Sequence, residues 1–363
     1  MSHAPGLGVP SQVSSSTSAV LRPQQMRSIV STRPTALSGT AVPQGRRLDS
    51  ASLPLFTEYD LWLILGFNLV VSTGMWVRHG GLEQFSTLGG ALVGIGQISS
   101  LYATIAVLAM MLLIARVPWI ERAIGMDLLN HWHRWAAIAA AVLIGVHVVA
   151  STVGYAIVEG AGIFAQVGEF IVGWPDMVTA FVGTALFYVV GITSARAARR
   201  AMSYDLWWLI HLLAYVAVVI SFFHELSTGV DFFRDTVATA YWVILHVVVG
   251  VCVLAFRFVA PLVSAARHRL WIAETRDESD TVVTITLRGR ELDKMRVAAG
   301  QFFLLRFLTR GRWWKAHPYS LSAAPDGSSL RFTIKALGDD SGAVRELPVG
   351  TRVIAEGPYG TVL

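Results

Sequence analysis

HWHRWAAIAAAVLIGVHVVA, residues 131–150, is the stretch on which the fold turns. After Arg134 it contains no Asp, Glu, Lys or Arg, and the apolar run from 133 to 157 exceeds the roughly 20 residues a helix needs to cross a bilayer. Two histidines interrupt it, His133 and His147, 14 positions apart. On a helix, that spacing brings the second ring to within about 40° of the first and about 20 Å along the axis. A second apolar stretch, HLLAYVAVVISFFH at 211–224, repeats the arrangement with His211 and His224 at a spacing of 13. Ionisable side chains inside a membrane are costly, so each is a candidate for function.

Working outward, apolar stretches near 58–77, 89–115, 133–157, 176–195, 204–224 and 236–260 predict six spans, and a shorter piece at 161–174 reads as interfacial or re-entrant. The composition agrees: 54% of residues are hydrophobic and 15% charged, with a mean hydropathy of +0.55, against about 25% charge in a soluble domain. Basic residues mark orientation. Arg22, Arg27, Arg33, Arg46 and Arg47 of the leading segment fall on one side with Arg116, Arg122, Arg134, Arg196, Arg199, Arg200, Arg257, Arg267 and Arg269, while the other side has only Arg78 and Arg234. Both termini are therefore expected to be cytoplasmic. The net charge of +5 resides largely in residues 1–52, a Ser-, Pro- and Gly-rich stretch expected to be a disordered cytoplasmic tail, so nucleic-acid binding is not indicated. A single cysteine, Cys252, excludes an intrachain disulfide, a thiolate cluster or a CxxC pair.

With this polarity the third and fifth spans both begin on the cytoplasmic side. His133 should then face His211 near the inner surface, and His147 should face His224 near the outer one. Two neutral imidazoles across a gap supply both axial positions of a six-coordinate haem iron, so two stacked b haems are expected. Ala136, Ala137, Ala139, Ala140 and Ala141 leave room for a planar group and equally suit helix packing. A lone intramembrane histidine is more often a packing residue than a ligand; two matched pairs on parallel spans favour ligation. His131 points away from that face and reads as interfacial, and His246 on the sixth span reads as structural. Gly90 and Gly94 form a GxxxG expected to serve close helix packing. Arg78 and Arg134, near opposite membrane faces, could neutralise haem propionates, but read more simply as topology determinants.

After about residue 264 short alternating runs (RLWIAETR, TVVTITLRG, GQFFLLRFL, PYSLSAAP, SLRFTIKAL, TRVIAEG) predict a small antiparallel β-barrel. All three lysines lie there, at Lys294, Lys315 and Lys335. Within it, His317-Pro318-Tyr319-Ser320 offers a ring, an aromatic and hydroxyls able to hold a flavin. Lys335, Gly338 and Ser341 offer a charge, backbone N–H groups and a hydroxyl suited to a pyrophosphate. The expected organisation is 1–52 tail, 53–263 membrane domain and 264–363 flavin domain.

The paired histidine spacings, HPYSLSAAP at 317–325 and GPYG at 357–360, in that order, resemble the membrane ferric reductase and NADPH oxidase family over residues 58–363. The resemblance implies a six-helix dihaem cytochrome b domain fused to an FAD domain of ferredoxin-reductase type. Electrons would pass from NAD(P)H-reduced FAD to the inner haem, the outer haem and an external acceptor, with ferric iron favoured and dioxygen possible. It also implies that Tyr319 and Ser320 contact the isoalloxazine, that His317 stands where the wider flavin-reductase family has arginine, and that Lys335, Gly338 and Ser341 lie near the pyrophosphate. The family's nicotinamide-binding domain is expected outside this chain, in a longer form or in a partner cytoplasmic reductase domain, so NAD(P)H is expected only for a full-length form. The expected setting is the plasma membrane, with membrane lipid as partner. Two rivals are a non-catalytic cytochrome subunit relaying electrons between proteins and a transporter whose histidines relay protons.

Overall fold

The computed structural model describes residues 56–229, 235–295, 297–298 and 300–360. The leading segment 1–52 and Arg234 lie outside them. Six helices are long and apolar enough to cross a membrane: Glu58–Arg78, Leu88–Ile114, Met126–Glu159, Met177–Ser194, Tyr204–Thr228 and Thr236–His268. The short piece at 161–174 is the helix Ile163–Gly173. Local signals start several of them. Asp60 accepts from the Thr57 N–H at 2.6 Å, Thr87 Oγ1 from Gly90 N–H at 3.1 Å, Ser203 Oγ from Leu206 N–H at 3.3 Å, and Asp235 Oδ1 from Val237 N–H at 2.8 Å. Each satisfies a backbone or capping group that lipid would leave bare. Outward-facing valines such as Val142 and Val149 are exposed while Ala140 and Ala150 are buried, which is the pattern of a bundle solvated by lipid.

Close packing of the second and third spans depends on glycines other than the expected pair. A side chain at Gly154 would come within 2.7 Å of the Val93 backbone, and one at Gly96 would collide with Ser151. Gly90 and Gly94 instead abut the turn Glu83–Ser86, meeting the Gln84 carbonyl and the Phe85 ring. The sequence motif marks a helix folded against its own entry turn, since the 3-10 turn occupies the surface that another helix would need.

The sixth span is α-helical from Thr236 to Cys252, makes a π-helical turn over Val253–Val259, and resumes α geometry from Ala260 to His268. It thus continues past residue 263 before Arg269, at φ 43, ends it. Six strands follow: β1 Trp271–Ser279, β2 Val282–Arg288, β3 Phe302–Phe307, β4 His317–Ser320, β5 Ser329–Lys335 and β6 Val353–Tyr359. They form two antiparallel three-stranded sheets, ordered β1-β2-β5 and β4-β3-β6, rather than the closed barrel expected from the alternation. Pairing in the predicted 318–325 run stops at Ser320, and the two sheets meet at their edges only through single bridges, Leu321–Phe332 after β4 and Trp271–Arg352 before β6. Ile272, Ile285, Leu287, Phe303, Leu305 and Phe332, all at 0% exposure, fill the shared core.

The strands are tied to the helices by buried charge. Glu356 on β6 is ion-paired with Arg116, just past the second span, and with Arg306 on β3. Glu121 Oε1 accepts from Gly360 N–H at 3.2 Å, and Lys315 Nζ lies 3.2 Å from Asp205 at the start of the fifth span. Burial, followed by the charge of Arg257, lowers Arg116 to about 10, leaving it cationic at neutral pH. Glu356→Ala would strand two arginines in a buried joint, and removing one partner of such a pair costs about 3–5 kcal/mol. The expected result is a marked drop in the thermal unfolding midpoint of the purified chain, and an unchanged midpoint would show that the joint is not stabilised by this carboxylate.

Candidate functional site

The two histidine pairs are built by four helices. His133 and His147 on the third span direct Nδ1 at backbone carbonyls of the second: Met110 O at 3.0 Å and Gly96 O at 2.9 Å. Those acceptors are themselves 14 residues apart, so one helix repeats the spacing of the other and orients both rings alike. A carbonyl only accepts, so each Nδ1 carries the proton and each Nε2 keeps a free lone pair. On the fifth span, His211 Nδ1 lies 3.2 Å from Ser194 Oγ, and His224 Nδ1 lies 3.0 Å from Thr228 Oγ1. The Thr228 hydroxyl donates to the His224 carbonyl at 2.8 Å, which leaves it to accept from the ring. Trp207 stacks on His211 at 5.0 Å and donates to Ser194 at 3.2 Å, fixing that ring from its other side.

His133 and His211 face each other with ring centroids 6.3 Å apart. A metal–imidazole bond of about 2.0–2.1 Å on each side, plus about 1.1 Å from nitrogen to ring centre, requires roughly 6.3 Å in line. His147 and His224 both line a largely apolar cavity of about 240 Å³, with Ile144, Gly183, Phe187 and Ala217. That volume is many times the roughly 30 Å³ share of one water, so it accommodates a multi-atom group. Among the described residues no cluster of three or more His, Cys, Asp or Glu could hold a metal ion. Each level supplies the two imidazoles that a haem would take from protein, and the His147–His224 pair also lines the cavity that could hold one.

His131 accepts from the exposed Trp135 indole at 3.1 Å, apart from this stack. His246 is held by Trp242 O at 2.9 Å and packs on Phe222 at 4.5 Å, with Nε2 3.4 Å from Glu225. Glu225, counted in sequence among the outer acids, belongs to the cavity wall, where Thr104 donates to it at 3.0 Å. Only its place beside His224 hinted at this. Nothing in the sequence pointed to the Met110 and Gly96 carbonyls, because a backbone acceptor has no signature of its own. Arg78, rather than reaching inward, is exposed and 3.7 Å from Asp235.

In the strand domain, β4 sets His317, Pro318, Tyr319 and Ser320 opposite Leu305, Leu304, Phe303 and Phe302 of β3. The Tyr319 hydroxyl is buried with no hydrogen-bond partner among the described residues. Burial pushes its pKa up to about 12, so it is a neutral O–H donor throughout the physiological range. An orphaned buried donor is expensive, and a flavin ring edge would satisfy it. His317 Nε2 lies 3.6 Å from Asp340, and Lys315 lies 3.1 Å from the same carboxylate, so Asp340 draws the segment at 338–341 toward β4. The pyrophosphate cradle expected there is partly closed on itself. Ser341 Oγ accepts from Leu337 N–H at 2.9 Å and Gly338 N–H at 3.1 Å, and donates to Gly338 O at 3.0 Å. Lys335 ends β5 on its outward face, three residues before Gly338.

Comparison with known proteins gives two matches in chain order. Residues 99–222 match the family described as ferric reductase like transmembrane component, and residues 274–363 match an FAD-binding domain family. No curated protein matches the chain. Among solved structures, a flavohemoglobin from Malassezia yamatoensis with bound FAD and heme is similar over 71% of this chain at 12% identity, with a TM-score of 0.28. The match spans 63% of that protein's length, and a likeness so distant carries no argument about the site.

Proposed function

The chain joins a ferric reductase-like transmembrane component to an FAD-binding domain, and from that premise we propose that it is a membrane oxidoreductase moving electrons from cytoplasmic reduced FAD to an acceptor on the other side. In this reading His133 with His211 and His147 with His224 hold two b haems, and His317, Pro318, Tyr319 and Ser320 hold the flavin ring. When bound, the flavin supplies two-electron acceptance with one-electron release, and the haems supply single-electron relay. The observation that carries the reading is the pair of carbonyls, Met110 O and Gly96 O, which leave Nε2 of His133 and His147 deprotonated at two depths. The protein's own part is to fix the tautomers of His133 and His147, orient all four rings, and keep the Tyr319 hydroxyl protonated. Two imidazoles per haem would leave no coordination site open, so an external acceptor, ferric iron favoured and dioxygen possible, would take electrons without binding the metal.

The self-bonded turn at 338–341 favours a second reading, a cytochrome subunit whose strand domain docks a protein donor without retaining FAD. One sample tests both: a dithionite-reduced minus oxidised spectrum of the purified chain, with pyridine haemochrome and released-flavin assays. About two b haems and one flavin per chain are expected. Haem without flavin would favour the relay subunit, and no haem would overturn the ligand assignment. NAD(P)H oxidation, a partner reductase domain and placement in the plasma membrane with cytoplasmic termini belong to the same proposal.

A further inference from the structure

Between β3 and β4 runs TRGRWWKA, residues 309–316, with three basic residues, two tryptophans and no acid. Its chemistry is unlike the rest of the strand domain. Trp313 is 61% exposed and stands edge-on to Trp314, while Arg310 is exposed and Leu308, just before the loop, is 41% exposed. A bare indole beside arginines is wasteful in water and favourable at a membrane surface, where the ring sits at headgroup level and the cations meet phosphate.

The loop is also at the right height. Lys315 Nζ lies 3.2 Å from Asp205 in the first turn of the fifth span. That helix has 25 residues, about 37 Å, against a hydrocarbon core of about 30 Å, so its first turn stands in the headgroup layer. Trp313 is two residues from Lys315 and so within about 7 Å of it along the chain. The same level already has interfacial chemistry: Tyr204 is 45% exposed, and the Arg199 guanidinium lies 4.9 Å from the Trp207 ring and 5.4 Å from that of Tyr204.

We propose that the loop 309–315 is a second membrane contact of this chain, in which Trp313 inserts at the interface and Arg310 binds the phosphates of anionic lipid headgroups. The strand domain would thereby be held against the bilayer as well as against the helices. This inference rests on the chain being embedded through its six helices and not on the haem or flavin assignments.

The test uses the full chain with Cys252→Ser, carrying an environment-sensitive fluorophore at Leu308→Cys, which keeps Trp313, or, as control, at Asp280→Cys in the turn at the far end of β1. Each is reconstituted into phosphatidylcholine vesicles with and without phosphatidylglycerol and quenched by headgroup-nitroxide lipid. Quenching at 308 should exceed that at 280 severalfold and rise with phosphatidylglycerol, and Arg310→Glu should reduce the phosphatidylglycerol-dependent part by about fivefold. Equal quenching at the two positions in both lipid mixtures would overturn the proposal. So would quenching at 308 that ignores lipid charge and Arg310, because the contact would then be indole packing without headgroup recognition. Haem and flavin contents measured on the same samples keep a failure of the loop distinct from a failure of the proposed function.

Discussion

His147→Ala should halve the haem content, from about two b haems per chain to about one, with the remaining haem still reducible by dithionite. The argument is local. His147 is oriented by Gly96 O at 2.9 Å, in a cavity whose other facing imidazole is His224, whereas His133 and His211 have their own partners and face each other 6.3 Å apart. The pairs are about 20 Å apart along their helices, beyond the range at which side-chain substitutions normally couple. Retention of both haems would remove His147 from the ligand set, and loss of both would show that the two levels fold as one unit.

The second large effect concerns flavin. Tyr319→Ala combined with Ser320→Ala should strip most of the bound FAD while leaving the reduced haem spectrum unchanged, because β4 pairs only with β3 and no haem-facing residue lies on either strand. Tyr319→Phe separates ring from hydroxyl. If the buried O–H bonds the flavin, its loss should weaken binding by about tenfold, the scale of one hydrogen bond of about 1.4 kcal/mol. Unchanged flavin content in the double variant, measured by released fluorescence, would move the flavin elsewhere in the domain.

Much of this architecture was legible in the residues. Hydropathy located the six helices because lipid imposes a length and a composition on anything that crosses it. The pairing of His133 with His211 followed from helical pitch and from the parallel direction of the two spans, and the structure does bring those rings together. What the residues concealed were properties of pairing and of backbone. Alternation located six strands but could not say that pairing in β4 would stop at Ser320 and leave two sheets joined by single bridges. Ser341 was recognisable as a hydroxyl beside glycine, but not as one already engaged by the amides of Leu337 and Gly338. The role of Glu356 was equally hidden, since a buried carboxylate on a strand acquires meaning only when Arg116 and Arg306 arrive from 240 and 50 residues away.

The continuous helix through the π turn has a mechanical corollary. Only two residues separate its end at His268 from the start of β1 at Trp271, so the strand domain hangs on a strut and not on a tether. The Arg116–Glu356, Glu121–Gly360 and Lys315–Asp205 ties brace it at three further places. The extra residue in the π turn rotates everything after it by about 100° relative to an unbroken α-helix, setting the compass bearing on which the domain leaves the membrane. Were the proposed transfer to run from the strands to His133 and His211, it would cross a distance set by this joint, with no docking step.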